Sequence, residues 1–136
     1  MKNLLIAFAF VLGSALGISA QQKAENNTKN QPVISFDKTE HDYGEVVKGG
    51  NGECTFTYTN TGRAPLVLTN ARSSCGCTVP KWSREPLMPG QTATLTVRYN
   101  TNNVGPINKT VTVESNADTP KVVLRIKGKV VKEATK

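Results

Sequence analysis

From Val33 onward, apolar and polar side chains alternate with a period of two, which predicts strands with one buried face. Cys54, Phe56 and Tyr58 fall on one side of a run whose other side is Glu53, Thr55, Thr57 and Thr59. Ala93, Leu95, Val97 and Tyr99 alternate with Thr92, Thr94, Thr96 and Arg98, and Ile107, Val111 and Val113 with Asn108, Thr110, Thr112 and Glu114. The last run sets Val122, Leu124, Ile126 and Val130 against Val123, Arg125, Lys127 and Lys129. Threonine on the outer faces suits half-buried strands, because its β-branch is at ease on a pleated surface and costs side-chain freedom in a helix. Turn-forming clusters separate these runs at Lys48–Gly52, Asn60–Pro65, Met88–Gln91, Asn102–Pro106 and Asn116–Pro120. With further strands at Val33–Phe36 and Leu66–Ala71, the spacing predicts an all-β fold: one antiparallel β-sandwich of about seven short strands.

The first twenty residues break this pattern. Met1-Lys2-Asn3 gives a positive start, Leu4 to Leu16 an apolar stretch, and Ile18-Ser19-Ala20 a small-residue exit, which together read as a signal peptide cleaved after Ala20. The stretch is too short for a stable membrane span, so no span is expected after its removal. Residues 21–32, rich in Asn, Gln and Lys, read as a flexible leader, 33–131 as the sandwich and 132–136 as a basic tail. The expected location is periplasmic or secreted.

Net charge is +7 for the whole chain. It concentrates at the carboxyl end, where Lys121, Arg125, Lys127, Lys129, Lys132 and Lys136 face Glu133 alone. Export and the lack of interleaved aromatic rings argue against a nucleic-acid partner. The basic final run is expected to be a lysine-studded edge strand that discourages edge-to-edge association.

Chemistry concentrates in Ser73-Ser74-Cys75-Gly76-Cys77-Thr78. If this run is extended, Cys75 and Cys77 project to the same side, and Gly76 removes bulk and permits an unusual backbone angle. Three uses stay open: a redox-inert structural role, metal binding and thiol exchange through a reducible Cys75–Cys77 bridge. A pair of thiolates favours a soft cation such as Cu(I), with His41 and Met88 the scarce further donors; no other cofactor is expected.

Cys54 reads as a small apolar core filler. Were Cys54–Asn60 and Leu66–Ala71 a hairpin, Cys75 would lie about 13 Å from it, and in opposing sheets about 10 Å, both unfavourable for a bridge unless the chain turns back after Ser73. Catalysis by a cysteine with His41 is disfavoured, because no nucleophile motif surrounds either residue and Glu40 to Gly44 more simply make a polar corner before a strand. Trp82 is expected to cap the core.

Phe36-Asp37-Lys38-Thr39-Glu40-His41-Asp42-Tyr43-Gly44, Phe56 to Gly62, Pro65-Leu66, Ser74 to Thr78, Pro89-Gly90 and Ser115-Asn116, in that order, resemble an exported bacterial family common in Bacteroidetes-type genomes, domain of unknown function fifteen seventy-three. The resemblance covers Val33 to Val131 and implies an immunoglobulin-like sandwich related to major sperm protein and the PapD-type chaperones. It implies no activity, and Cys54 lies outside its pattern. The expected function is a non-enzymatic exported module that binds another envelope protein or an extracellular polymer. A Cu(I) or thiol-disulfide module built on Cys75 and Cys77 is the rival.

Overall fold

The alternating runs become strands in the computed structural model, which describes residues 30–133. The expected signal peptide, the leader up to residue 29 and residues 134–136 of the tail lie outside the described residues. Eight strands form: β1 (Ile34–Phe36), β2 (Glu40–Val47), β3 (Glu53–Asn60), β4 (Leu68–Ser73), β5 (Thr78–Lys81), β6 (Thr92–Tyr99), β7 (Gly105–Ser115) and β8 (Lys121–Val131). They pair as two four-stranded sheets, β1-β3-β6-β5 and β2-β8-β7-β4. All pairings are antiparallel except β2 with β8, which run parallel.

The inward faces are those the alternation marks. Phe56, Leu95 and Val97 of the first sheet and Val111, Ile126 and Val130 of the second are fully buried. Burying an aliphatic or aromatic side chain of this size contributes about 1.5–3 kcal/mol, so this interdigitated layer carries the fold.

Two strands escape the periodicity. β2 carries a bulge between Asp42 and Glu45, with Gly44 at φ +63° and its N–H donating to Asp42 Oδ1 (2.8 Å), so its apolar positions do not alternate cleanly. β5 has only four residues and includes Pro80. His41 therefore lies within a strand, not in a corner before one.

Topology selects one of the two arrangements weighed for β3 and β4 and overturns the expectation for the basic run. β3 and β4 make no hairpin; they sit in different sheets, β3 beside β1 and β6, β4 beside β7. The basic β8 is not an edge, since it lies between β2 and β7. Its outward cations face the carboxylates of β2 in register: Glu40 opposite Arg125, Asp42 opposite Lys127 and Glu45 opposite Lys129. Lys127 Nζ reaches Glu40 Oε1 at 2.6 Å, and Lys121 and Arg72 both approach Glu114. The charge of β8 is thus one half of a cross-strand pattern of opposite charges.

One end of the sandwich is sealed by two asparagines. Asn60, fully buried, donates through Nδ2 to Ala64 O (2.8 Å) and Leu87 O (2.9 Å), and its Oδ1 accepts from Gly62 N (3.0 Å) and Val33 N (3.4 Å). Asn116 Oδ1 accepts from Val67 N (2.8 Å) and its Nδ2 donates to Pro65 O (3.1 Å). Gly62 packs against the backbone of Gln31, Pro32 and Val33 so closely that a Cβ would collide with it. Arg63 N and Asp118 N donate to Gln31 O and Pro32 O, so the end of the leader is held to the domain. The motifs Asn60-Thr61-Gly62, Pro65-Leu66 and Ser115-Asn116 are accounted for here: they satisfy backbone groups that loops at a buried corner would otherwise leave unpaired.

Candidate functional site

At the opposite end, β4 leaves the second sheet and β5 enters the first through the turn Ser74–Cys77. The run is not extended. Thr78 N donates to Cys75 O (3.4 Å), drawing the two cysteine Cα atoms to 5.4 Å, and Cys75 and Cys77 are joined as a disulfide. Both cysteines are half-buried.

The turn is clamped on both sides. Ser74 N donates to Thr110 O (2.9 Å) and Ser74 Oγ accepts from Thr110 N (3.2 Å), fixing one flank to β7. Cys77 O accepts from Asn100 N (2.8 Å), fixing the other to the end of β6. Ser73 Oγ donates to Cys75 O. Thr78, 2% exposed, holds its hydroxyl 3.8 Å from Cys75 Sγ and 3.9 Å from Cys77 Sγ. Gly76 does not occupy the left-handed region, and a Cβ there would meet nothing within 4 Å. Neither conformation nor packing therefore demands the glycine.

Beside the turn opens a cleft of about 460 Å³, lined by Gly76, Cys77, Val79 and Arg98 together with Gly50–Glu53 and Tyr99–Asn102. A second hollow of about 410 Å³ continues from it along the outer face of β3, β6 and β5, and Glu53, Val79 and Arg98 border both. Val79, 51% exposed, stands opposite Arg98, whose guanidinium pairs with Glu53 at 3.1 Å. Such an exposed pair contributes at most about 1 kcal/mol to the fold, so Arg98 can be redirected to a partner at little cost.

The other residues singled out in the sequence lie elsewhere. Cys54, 6% exposed, is a free thiol in the core on β3. β6 separates it from β5, and two strand spacings, about 10 Å, exceed the reach of a disulfide. Burial, more than any neighbouring charge, pushes its thiol pKa up and keeps it in the unreactive form. Tyr43 Oη donates to Gly52 O (2.7 Å) and also approaches Cys54 Sγ (3.4 Å), tying the Lys48–Gly52 loop beside the cleft to β2. Burial, then the contact with Cys54, raises the phenol pKa far out of reach.

His41 lies on β2, the edge of the second sheet away from β4, with Lys38 Nζ 2.9 Å from its Nδ1 and the Tyr43 ring 4.7 Å away. Desolvation, then the Lys38 charge, lowers its pKa, with Asp42 opposing. Met88 lies at the sealed end, where Gln91 N donates to its carbonyl (3.0 Å). Neither is brought to the sulfurs, and among the described residues no further His, Cys, Asp or Glu joins the pair as a metal-holding group. Trp82 caps the core, with Nε1 directed to Leu68 O (3.4 Å) and the Arg84 guanidinium 5.3 Å from its ring.

Sequence reasoning missed Val79, Arg98 and Glu53 as cleft residues. Only strand pairing brings them together, and each alone reads as an ordinary outward position on a strand.

No curated protein matches the chain. Among solved structures, a protein of unknown function from Porphyromonas gingivalis W83 superposes with a TM-score of 0.66 at 17% identity, covering 75% of this chain and 48% of that one. The chain thus spans about half of that relative's length. PapD-like domain 7 of human CEP192 superposes with a TM-score of 0.64 at 8% identity, covering 77% and 89% of the two chains. The periplasmic chaperone SfaE does so at 0.52 and 14%, covering 74% and 58%. At these identities the likeness concerns the fold, a PapD-like, immunoglobulin-like sandwich. The sequence from 34 to 130, nearly the whole sandwich, matches one family throughout: the chain belongs to the proteins of unknown function DUF1573.

Proposed function

We propose that the protein is an exported, non-enzymatic module that docks a segment of another cell-envelope protein at its Cys75–Cys77 end. The observation that carries this reading is the contrast between the two ends. One has its loop backbone consumed by Asn60 and Asn116. The other has an open cleft, and Val47, Val79 and Val104, three of the five exposed large hydrophobics, lie on strands and loops at that end. Val79 lines the cleft between Arg98 and Glu53, and an exposed apolar side chain on a concave surface with charged neighbours suits a protein partner, because it can be desolvated within a polar border.

Strand addition along β5 is the less favourable docking mode. Alternation of the ladder from the Cys77–Asn100 pair directs the Pro80 nitrogen to the free edge, where it has no hydrogen to donate, and Thr78 N–H is turned to Cys75 O. The partner is therefore expected to engage the cleft and end loops. The signal-peptide pattern of residues 1–20 and the family resemblance support an extracytoplasmic setting, and the fold shared with a periplasmic chaperone is consistent with a protein ligand. Among the described residues, no helix is long and apolar enough to cross a membrane.

Affinity capture from an envelope extract tests the reading when wild type is compared with the double variant Val79→Lys, Arg98→Glu. The variant is expected to recover the partner protein at least about tenfold less well, the effect of losing roughly 1.4 kcal/mol at a contact centre. Equal recovery by both forms would remove the cleft from the account. Recovery of a polysaccharide in place of a protein would replace the partner class.

A further inference from the structure

The Cys75–Cys77 bridge closes a loop of three residues, within a turn that hydrogen bonds already clamp on both flanks. A disulfide stabilises mainly by restricting the unfolded chain, and a loop this short restricts it least, so a structural staple is a poor account of the bridge. Its surroundings point to exchange. Cys77 and the side-chain-free Gly76 line the open cleft, and the Thr78 hydroxyl lies within reach of both sulfurs from the buried side. That hydroxyl is positioned to donate to a thiolate released at Cys75. The glycine, which the fold itself does not require, leaves the approach to Cys77 unobstructed.

We propose that the Cys75–Cys77 disulfide is a thiol-exchange site that accepts electrons from a protein dithiol entering the cleft. A partner thiolate attacks Cys77 Sγ, forming a mixed disulfide. The Cys75–Cys77 bond breaks with its electron pair passing to Cys75 Sγ, which then takes a proton. The partner's second thiolate attacks its own half of the mixed disulfide and releases Cys77, which is protonated in turn. The partner leaves as a disulfide and the protein holds two thiols, so two electrons and two protons have moved. This goes beyond docking and uses the same cleft for a covalent step.

The test uses the mature, oxidised chain, with reduced thioredoxin as the protein dithiol and glutathione as the small thiol, quenched by alkylation and read by mass. In native buffer thioredoxin is expected to open the Cys75–Cys77 bridge while Cys54 stays unalkylated. Thioredoxin lacking its second active-site cysteine is expected to trap a mixed disulfide at Cys77 of the wild-type chain, with Cys75 released as an alkylatable thiol. Thr78→Val is expected to slow opening about fivefold, the worth of one hydrogen bond, with the melting temperature little changed. Gly76→Leu, whose Cβ meets nothing within 4 Å, is expected to slow thioredoxin at least about tenfold, as obstruction of a docked contact would, while glutathione changes less than about twofold. Opening only in denaturant would overturn the proposal. So would a Gly76→Leu variant in which thioredoxin and glutathione are affected equally or not at all.

Discussion

Asn60→Ala is expected to destabilise the protein by about 3–4 kcal/mol and to lower its melting midpoint by about 15 °C or more. The side chain is fully buried and makes four hydrogen bonds to backbone groups of Val33, Gly62, Ala64 and Leu87. Truncation leaves Ala64 O and the N–H groups of Val33 and Gly62 without that partner, at about 1 kcal/mol each even when some find water, while Leu87 O keeps the Leu66 N–H (2.8 Å) and loses only its second bond. A domain of this size has about 5–15 kcal/mol in total, so the loss is a large share. Asn60→Asp separates shape from hydrogen bonding. A carboxylate cannot donate to Ala64 O and Leu87 O, and burial disfavours its charged form, raising its folded-state pKa. The defect should therefore be full at neutral pH and shrink as pH falls through that raised pKa, whereas the Asn60→Ala defect lacks this dependence. Urea unfolding of the three proteins at two pH values checks both statements.

Gly128→Ala is expected to cost about 2–4 kcal/mol, although it adds one methyl group on the second sheet. Gly128 lies at φ +147°, where L side chains are strained. Its Cβ would stand 2.8 Å from Gly44 O and 3.0 Å from Tyr43 Cβ, and backbone cannot yield as a flexible side chain can. Relief would push β2 away from β8 at the bulge, moving Tyr43 and loosening its hold on Gly52 beside the cleft. The variant should therefore combine a lower urea midpoint with faster native-state alkylation of Cys54, which Tyr43 touches. A surface change that merely weakened the fold elsewhere would not single out that thiol.

The strand faces were legible because burial on one side of a sheet imposes a period of two, and β3, β6, β7 and β8 obey it. β2 was hidden by its bulge and β5 by its brevity and its proline. Strand order was beyond the sequence: the carboxyl-terminal lysines look like edge protection until β2 supplies the facing carboxylates. The Cys75–Cys77 pair was visible as candidate chemistry, and distance disfavoured a bridge to Cys54 without excluding it, since the chain could have turned back after Ser73. Its turn geometry was not, since an i to i+3 hydrogen bond and a bridge between residues two apart both depend on closure of the corner between the sheets. The cleft was invisible for the same reason, because Val79, Arg98 and Glu53 are neighbours only across strands. Asn60, Gly62 and Asn116 were seen as parts of a family pattern, and their role in sealing one end emerges only from the segments they tie together.

The central claim is that partner contact belongs to the Cys75–Cys77 end and the asparagine-sealed end is structural. Site-specific photo-crosslinking in the cells that make the protein tests it most directly, with the reactive side chain placed at Val79 or, as the control, at Met88, the two being equally exposed at 51% and 50%. The account predicts a discrete protein adduct from position 79 and none from position 88; an adduct from position 88 alone, or from neither, would contradict it.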